Sequence, residues 1–286
     1  MKRIRYGLIF LLSASALWTA ADAQPRNRPS PVIQGPDQLS PEEGKRVLEQ
    51  FRQMGWPDDF AFRFRLEHFP RGGETETYYG TLYGSWNPQN PQTRVDFDAP
   101  DGDRRAFLWA GREHTWMFDA EVPGDAVQPM SGERLTQPLL PGLVYTPFDF
   151  QIPFLEWQDY AYEGTRRVAG RPAHFYLMYP PEGDPRYAGI GAVRLMIDAD
   201  FYAILRAEVL NPEEDVIRTL RVGSFKKVDD QWVVTRFDLS DEETHSRTRL
   251  EFDAAALNQH LPAAVFTPEA LDQAYEGVPK KAFKSL

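Results

Sequence analysis

Alternation with a period of two is the feature that most restricts this chain. Phe60, Phe62, Phe64 and Leu66 alternate with Ala61, Arg63, Arg65 and Glu67. Successive side chains of a strand point to opposite faces, so the pattern predicts a strand with one buried face. Similar aromatic or β-branched runs recur at 77–86, 93–98, 106–110 and 114–118. They return at 159–168, 173–179, 192–197, 202–210, 216–228, 231–240 and 246–252. Turn formers separate them, among them Asp198-Ala199-Asp200, Asn211-Pro212 and Asp229-Asp230. About a dozen strands at hairpin spacing, with few helices, predict an antiparallel sheet curled into a sandwich or barrel.

Helical signals flank this pattern. Ser40-Pro41-Glu42-Glu43 combines an N-cap serine, a proline at the first helical position and a glutamate three residues on. Val47, Leu48, Phe51 and Met54 follow at helical spacing, and Trp56-Pro57 ends the run. Thr267-Pro268-Glu269 is a second helical start. At the amino end, Lys2, Arg3 and Arg5 precede an apolar run over 7–16, and Ala21-Asp22-Ala23 has small-x-small form. That pattern predicts a secretory signal peptide cut after Ala23, since the apolar run is short for a membrane anchor, and hence an exported protein, periplasmic if the cell is Gram-negative. Cleavage would remove three cations and Asp22, taking the formal charge from −10 to −12. Residues 24–38, rich in Pro, Asn and Arg, predict a disordered leader. Residues 39–275 form the predicted domain, and 276–286 a loosely held tail.

Composition then removes whole classes of function. With no cysteine, the chain can hold no disulfide, thiolate-bound metal or thiol nucleophile, and no lipid anchor on a cysteine of its own. A net charge of −10 opposes nucleic-acid binding, which relies on clustered Lys and Arg. A mean hydropathy of −0.50 excludes a multi-span membrane protein. There is no Gly-x-Ser-x-Gly elbow, and Gly189-x-Gly191 is not a nucleotide fingerprint. His68, His114, His174, His245 and His260 share no metal-ligand spacing. The acidic pairs Asp198/Asp200, Glu213/Glu214 and Asp229/Asp230, with Asp241-Glu242-Glu243, sit at predicted hairpin tips as solvated turn residues. No metal, cofactor or catalytic residue is predicted, and the chain reads as a non-enzyme.

Aromatic side chains are what the sequence has in excess: 19 Phe, 12 Tyr and 7 Trp. Some runs are apolar on both faces, as Phe175, Leu177 and Tyr179 stand against Tyr176 and Met178. Residues 129–157 break the alternation with Pro129, Pro138, Pro141, Pro147 and Pro153, yet carry Leu139, Leu140, Phe148, Phe150, Phe154 and Trp157. An apolar, proline-rich segment cannot pair as a central strand. It predicts a lid that covers or enters a greasy cavity.

The ordered set of motifs resembles the LolA-like outer-membrane lipoprotein-sorting proteins. The resemblance lies in Leu82-Tyr83-Gly84-Ser85-Trp86, in Val168-Ala169-Gly170-Arg171-Pro172, in the hairpin around Phe225-Lys226-Lys227-Val228 and Trp232-Val233-Val234-Thr235, and in Leu261-Pro262 to Phe266-Thr267-Pro268. It implies a mainly β fold, a strongly curved, half-open antiparallel β-barrel with a few helices as plug or lid. It implies a soluble, monomeric carrier of lipoprotein acyl chains or other lipid in a hydrophobic cavity, moving between an inner-membrane donor and an outer-membrane acceptor. Candidate lining residues are Phe62, Phe64, Tyr83, Trp86, Phe97, Trp109, Trp116, Phe118, Phe148, Phe154 and Trp157. The family's carrier latches its lid with an arginine near a strand-loop proline. The comparable stretch here, Trp86-Asn87-Pro88-Gln89-Asn90-Pro91, has none; Arg94 follows, and Arg63 and Arg65 precede. A regulatory sensor module is the alternative reading, and a hydrolase the third.

Overall fold

The computed structural model describes residues 39–286 except 55–57, 86–89, 99–103, 112–113, 121–126, 131 and 141–142. The expected signal peptide and leader, and Trp86, lie outside the described residues.

The first element is a helix, α1 (Pro41–Gln53), and it begins as its sequence dictates. The Ser40 hydroxyl accepts from the Glu43 N–H at 3.3 Å, and the Glu43 carboxylate accepts from the Ser40 N–H at 2.9 Å. This reciprocal box satisfies two donors that every helix start leaves open. The helix buries Leu48 and turns Gly44 toward the sheet. The Tyr176 hydroxyl donates to the Gly44 carbonyl at 2.8 Å, and a Cβ on Gly44 would lie 2.6 Å from the Tyr162 ring.

All strands among the described residues belong to one antiparallel sheet of 14 strands. The first group is β1 (Asp59–Phe69), β2 (Glu76–Ser85), β3 (Gln92–Asp98), β4 (Arg104–Ala110), β5 (His114–Asp119) and β6 (Val127–Met130). The second is β7 (Tyr160–Val168), β8 (Arg171–Met178), β9 (Ala192–Asp198), β10 (Ile204–Leu210), β11 (Val216–Val228), β12 (Gln231–Asp241) and β13 (Arg247–Gln259), with β14 (Lys284–Ser285) paired to β13. Each group is a meander, and the two join through β1 and β13. The path therefore begins at β6 and ends at β7, and the sheet is not closed. β6 and β7 are consecutive in sequence yet occupy opposite edges. The chain between them must cross the whole open face.

Alternation along the strands separates two main apolar clusters, besides a third, minor one of Ala173, Phe175 and Met196. The larger one gathers Phe62, Phe64 and Phe97 from one meander with Tyr176, Val193 and Leu220 from the other. Residues so far apart in strand order can share one cluster only if the sheet is strongly curved, and this is its concave face. The smaller cluster holds Ala61, Tyr83, Leu108 and Phe118 on the convex face. Elsewhere that face carries cross-strand ion pairs: Arg65 with Glu251, Arg249 with Asp238, and Arg194 with Glu163 and Glu208. Such pairs stabilise neighbouring strands by a few tenths of a kcal/mol to about 1 kcal/mol each.

The carboxyl end departs from expectation. Residues 261–286 pack over the small cluster, burying Val265, Phe266, Leu271 and Val278. Two arginines clamp their backbone. Arg94, 1 % exposed, donates to the Val265 carbonyl at 3.2 Å and to that of Gln273. Arg104 donates to the Leu271 carbonyl at 2.5 Å. Asp96 accepts from both arginines. The tail is docked too: the Leu286 N–H donates to the Asp253 carbonyl at 2.8 Å, and the Arg63 guanidinium lies 4.2 Å from the Phe283 ring centroid. The second helical start yields only a single 3₁₀ turn, Pro268–Ala270, because the segment must follow a convex surface.

Candidate functional site

The segment between β6 and β7 is the plug of the half-barrel. It runs through a 3₁₀ turn (Gly132–Thr136), a short helix, α2 (Pro147–Gln151), and a second 3₁₀ turn (Pro153–Leu155). Pro147 and Pro153 sit at helix starts, where a missing N–H costs nothing. Ile152 joins α2 to the second turn with φ of 44°, a left-handed conformation that a β-branched residue adopts only under constraint. The plug thus turns sharply enough to aim successive aromatics in different directions.

Phe150 enters the first meander. Its ring centroid lies 6.2 Å from Phe64, 6.0 Å from Phe97 and 5.9 Å from Trp109. Phe148 turns the other way and meets Phe154 at 5.9 Å, Trp157 at 6.2 Å and Tyr187 at 6.1 Å. The plug's own side chains therefore fill the concavity.

Buried polar contacts from both sides hold it there. Thr146 and Asp149 form a buried capping box, with the Thr146 N–H donating to Asp149 Oδ2 at 2.9 Å. Arg218 of β11 donates to the same oxygen at 2.9 Å. Both ionic side chains are buried, at 8 % and 3 % exposure. Burial pushes the Asp149 carboxyl above its ordinary pKa; Arg218 and Thr146 oppose this. From the other side, Arg52 of α1 donates to the Leu155 carbonyl at 2.6 Å. The latch is therefore arginine-based, but its arginines lie on β11 and α1. Arg94, which follows the loop examined in the sequence, clamps the carboxyl-terminal segment instead.

Next to this latch a pocket of about 620 Å³ opens between the β1–β2 turn, the plug and the start of β11. Its walls include Leu143 and Val144 of the plug, Ile190 and Ile217, with Arg218 and His68 on the polar side. His68 bonds Thr248 through Nδ1 at 2.9 Å, and burial holds its pKa below the ordinary value.

The sequence-derived candidates divide by face. Phe62, Phe64, Phe97, Trp109, Phe148, Phe154 and Trp157 belong to the concave cluster. Tyr83, Trp116 and Phe118 pack in the convex cluster, beneath the carboxyl-terminal segment. There the Tyr83 hydroxyl donates to the Tyr275 carbonyl at 2.6 Å, and burial pushes its pKa up to about 12. The error has a physical source. In this region both faces of β4 are buried, Phe107 and Trp109 on one side, Ala106 and Leu108 on the other. Alternation then separates the faces without saying which is concave. Sequence reasoning missed Arg218 and Asp149, which look like ordinary strand and helix charges. It also assigned Asp198 to solvent, although Asp198 is 0 % exposed, capping its turn and pairing with Arg171 at 2.8 Å. Among the described residues no cluster of His, Asp and Glu could hold a metal.

Comparisons with known proteins agree with this architecture. A DUF1329 family protein from Desulfovibrio piger superposes with a TM-score of 0.68 at 18% identity, covering 81% of this chain and 98% of that one. A domain assigned to outer-membrane lipoprotein sorting, from Vibrio parahaemolyticus, gives 0.69 at 16%, covering 82% and 100%. A LolA superfamily protein from Nitrosomonas europaea gives 0.60 at 18%, covering 78% and 97%. At these identities the likeness establishes the fold, a curved open barrel with few helices. No curated protein matches in sequence. A family model with the description "-like: Uncharacterized protein" matches residues 89–273, well over half of the chain. The chain belongs to that family of uncharacterized proteins.

Proposed function

We propose that this protein is a periplasmic carrier that holds lipoprotein acyl chains, or another lipid, in its concavity and hands them from an inner-membrane donor to an outer-membrane acceptor. One observation carries the reading. The concave face is filled by a connection, the plug, and not by a second layer of sheet. The proposed lining is Phe62, Phe64, Phe97 and Trp109 on the sheet, facing Phe148, Phe154 and Trp157 of the plug. Withdrawing the plug would free this surface while leaving every strand pairing intact, because the described ladder runs from β6 to β7 without it. Each buried acyl methylene contributes about 0.8 kcal/mol. A ligand that replaces the plug's aromatic contacts therefore needs about ten methylenes beyond that exchange to reach micromolar affinity. Release would follow closure of the plug when an acceptor binds the chain more tightly.

Native mass spectrometry of protein purified from its own host tests this. Co-purified acylated species, and displacement of a fluorescent fatty-acid probe, are the expected results. Protein that is empty and also fails to bind the probe refutes the reading.

A further inference from the structure

We infer that the carrier's ligand has an anionic head and that the 620 Å³ pocket beside the latch is where that head binds. The inference rests on the carrier reading and adds the class of ligand. Its basis is Arg218. This guanidinium lies at the pocket wall, is 7 % exposed overall, and spends only Nη1 on Asp149 and Thr146. Among the described residues its Nε and Nη2 donors have no hydrogen-bond partner. Neither atom is among the fully buried unpartnered donors of the described residues, so both open onto the pocket, where an anionic acceptor can replace water in charge-assisted hydrogen bonds. His68 adds a second buried group at the same wall, since only its Nδ1 is bonded within the protein.

The charges around the pocket define what can enter. Arg71 on the β1–β2 turn joins Arg218 as the second cation; Asp241 and Asp149 are the facing acids. Asp241 already accepts from the Thr244 N–H and hydroxyl at 2.7 Å each. Asp149 is the one acid held by Arg218, and its burial disfavours its charge. A carboxylate or phosphate entering from solvent can take the open Nε and Nη2 positions in the bidentate geometry that guanidinium favours. Meanwhile Leu143, Val144 and Ile217 offer an apolar wall to the first methylenes of its chain. The volume lies within the range of small-molecule sites. Binding there would leave Nη1 on Asp149 but set a second anion beside that carboxylate, and so weaken the plug at its main ionic anchor. The head would thus open the concavity that its own chain then fills.

Titration calorimetry with palmitate, its uncharged glyceryl monoester and inorganic phosphate tests this on the purified protein. Palmitate should bind about tenfold more tightly than monopalmitin, the worth of a charge-assisted hydrogen bond. In the matched double variant Arg218→Gln/Asp149→Asn, which leaves no buried charge unpaired, the two should bind within about twofold of each other. Arg71→Gln, on an exposed turn that cannot unfold the domain, should reduce the preference by about threefold. Equal binding of both lipids to the unaltered protein overturns this inference alone. A preference that survives in the double variant does the same. If neither lipid binds, the inference and the carrier reading fall together. Tight binding of phosphate without a chain would show a small-anion site and would also overturn it.

Discussion

Asp149→Ala isolates the energetics of the latch. The substitution removes the partner of Arg218, whose guanidinium is left buried, and it removes the acceptor of the Thr146 N–H. Breaking a buried ion pair from one side costs about 3–5 kcal/mol. Loss of a helix N-cap interaction costs about 1 kcal/mol. The two effects share one oxygen, Asp149 Oδ2, so the total should be about 4 kcal/mol rather than their sum. Among the described residues, no strand pairing of the sheet uses the segment 132–157. The loss should therefore fall on plug opening before it falls on the sheet. Hydrogen exchange by mass spectrometry reads this directly. Amides closed within the plug, such as Ile152 to the Phe148 carbonyl and Leu155 to the Ile152 carbonyl, should exchange roughly a thousandfold faster. Amides of β1, β12 and β13 should keep their rates. Asp149→Asn retains an acceptor for Thr146 and should give an intermediate acceleration. Unchanged plug exchange in Asp149→Ala would refute the latch. Equal acceleration in plug and central strands would refute the plug as a separable unit.

Gly44→Ala should lower the stability by about 1–3 kcal/mol in urea unfolding, because the new Cβ meets the Tyr162 ring at 2.6 Å and overpacks the α1 interface. Arg94→Met should free the carboxyl-terminal segment, costing about 3 kcal/mol as the Val265 carbonyl loses its donor and the Gln273 carbonyl keeps only Arg104, with limited proteolysis after residue 261 as the readout. His68 and His174 are both held below the ordinary histidine pKa by burial. Their contribution to stability is complete above about pH 6.5 and is lost as pH falls through their folded-state values. The melting temperature should decline from pH 7.5 to 5, and His174→Gln should flatten that decline. Asp149 has the opposite sign, since its raised value favours the protonated folded form in a window just above pH 3.8. Acid should therefore not open the plug through this group.

Local pattern and global closure were legible to different degrees. Strand existence needed only period-two alternation and turn formers, which act within a few residues, so nearly every run from Phe60 to Phe252 is a strand. The start of α1 was equally local, because Ser40, Pro41 and Glu43 complete their capping box within one turn. Proline spacing over 129–157 likewise excluded a central strand there. The family resemblance supplied the curvature that alternation alone leaves open between sandwich and barrel.

Which face of each strand looks inward was decided elsewhere. Tyr83 and Phe118 are as apolar as Phe64 and Phe97, and their placement depends on a carboxyl-terminal segment some 150 residues or more away in sequence. The latch is also nonlocal: Arg218 and Asp149 are 69 residues apart, and neither carries a pattern that announces a partner. Sequence by itself determined a cysteine-free, mainly β chain with an apolar segment unable to join the sheet, because those properties follow from backbone sterics and side-chain periodicity. Only the tertiary structure decided that β6 and β7 are opposite edges, and hence that this segment must cross the open face and plug it. Edge position is a property of the whole hydrogen-bonded ladder, and no single strand encodes it.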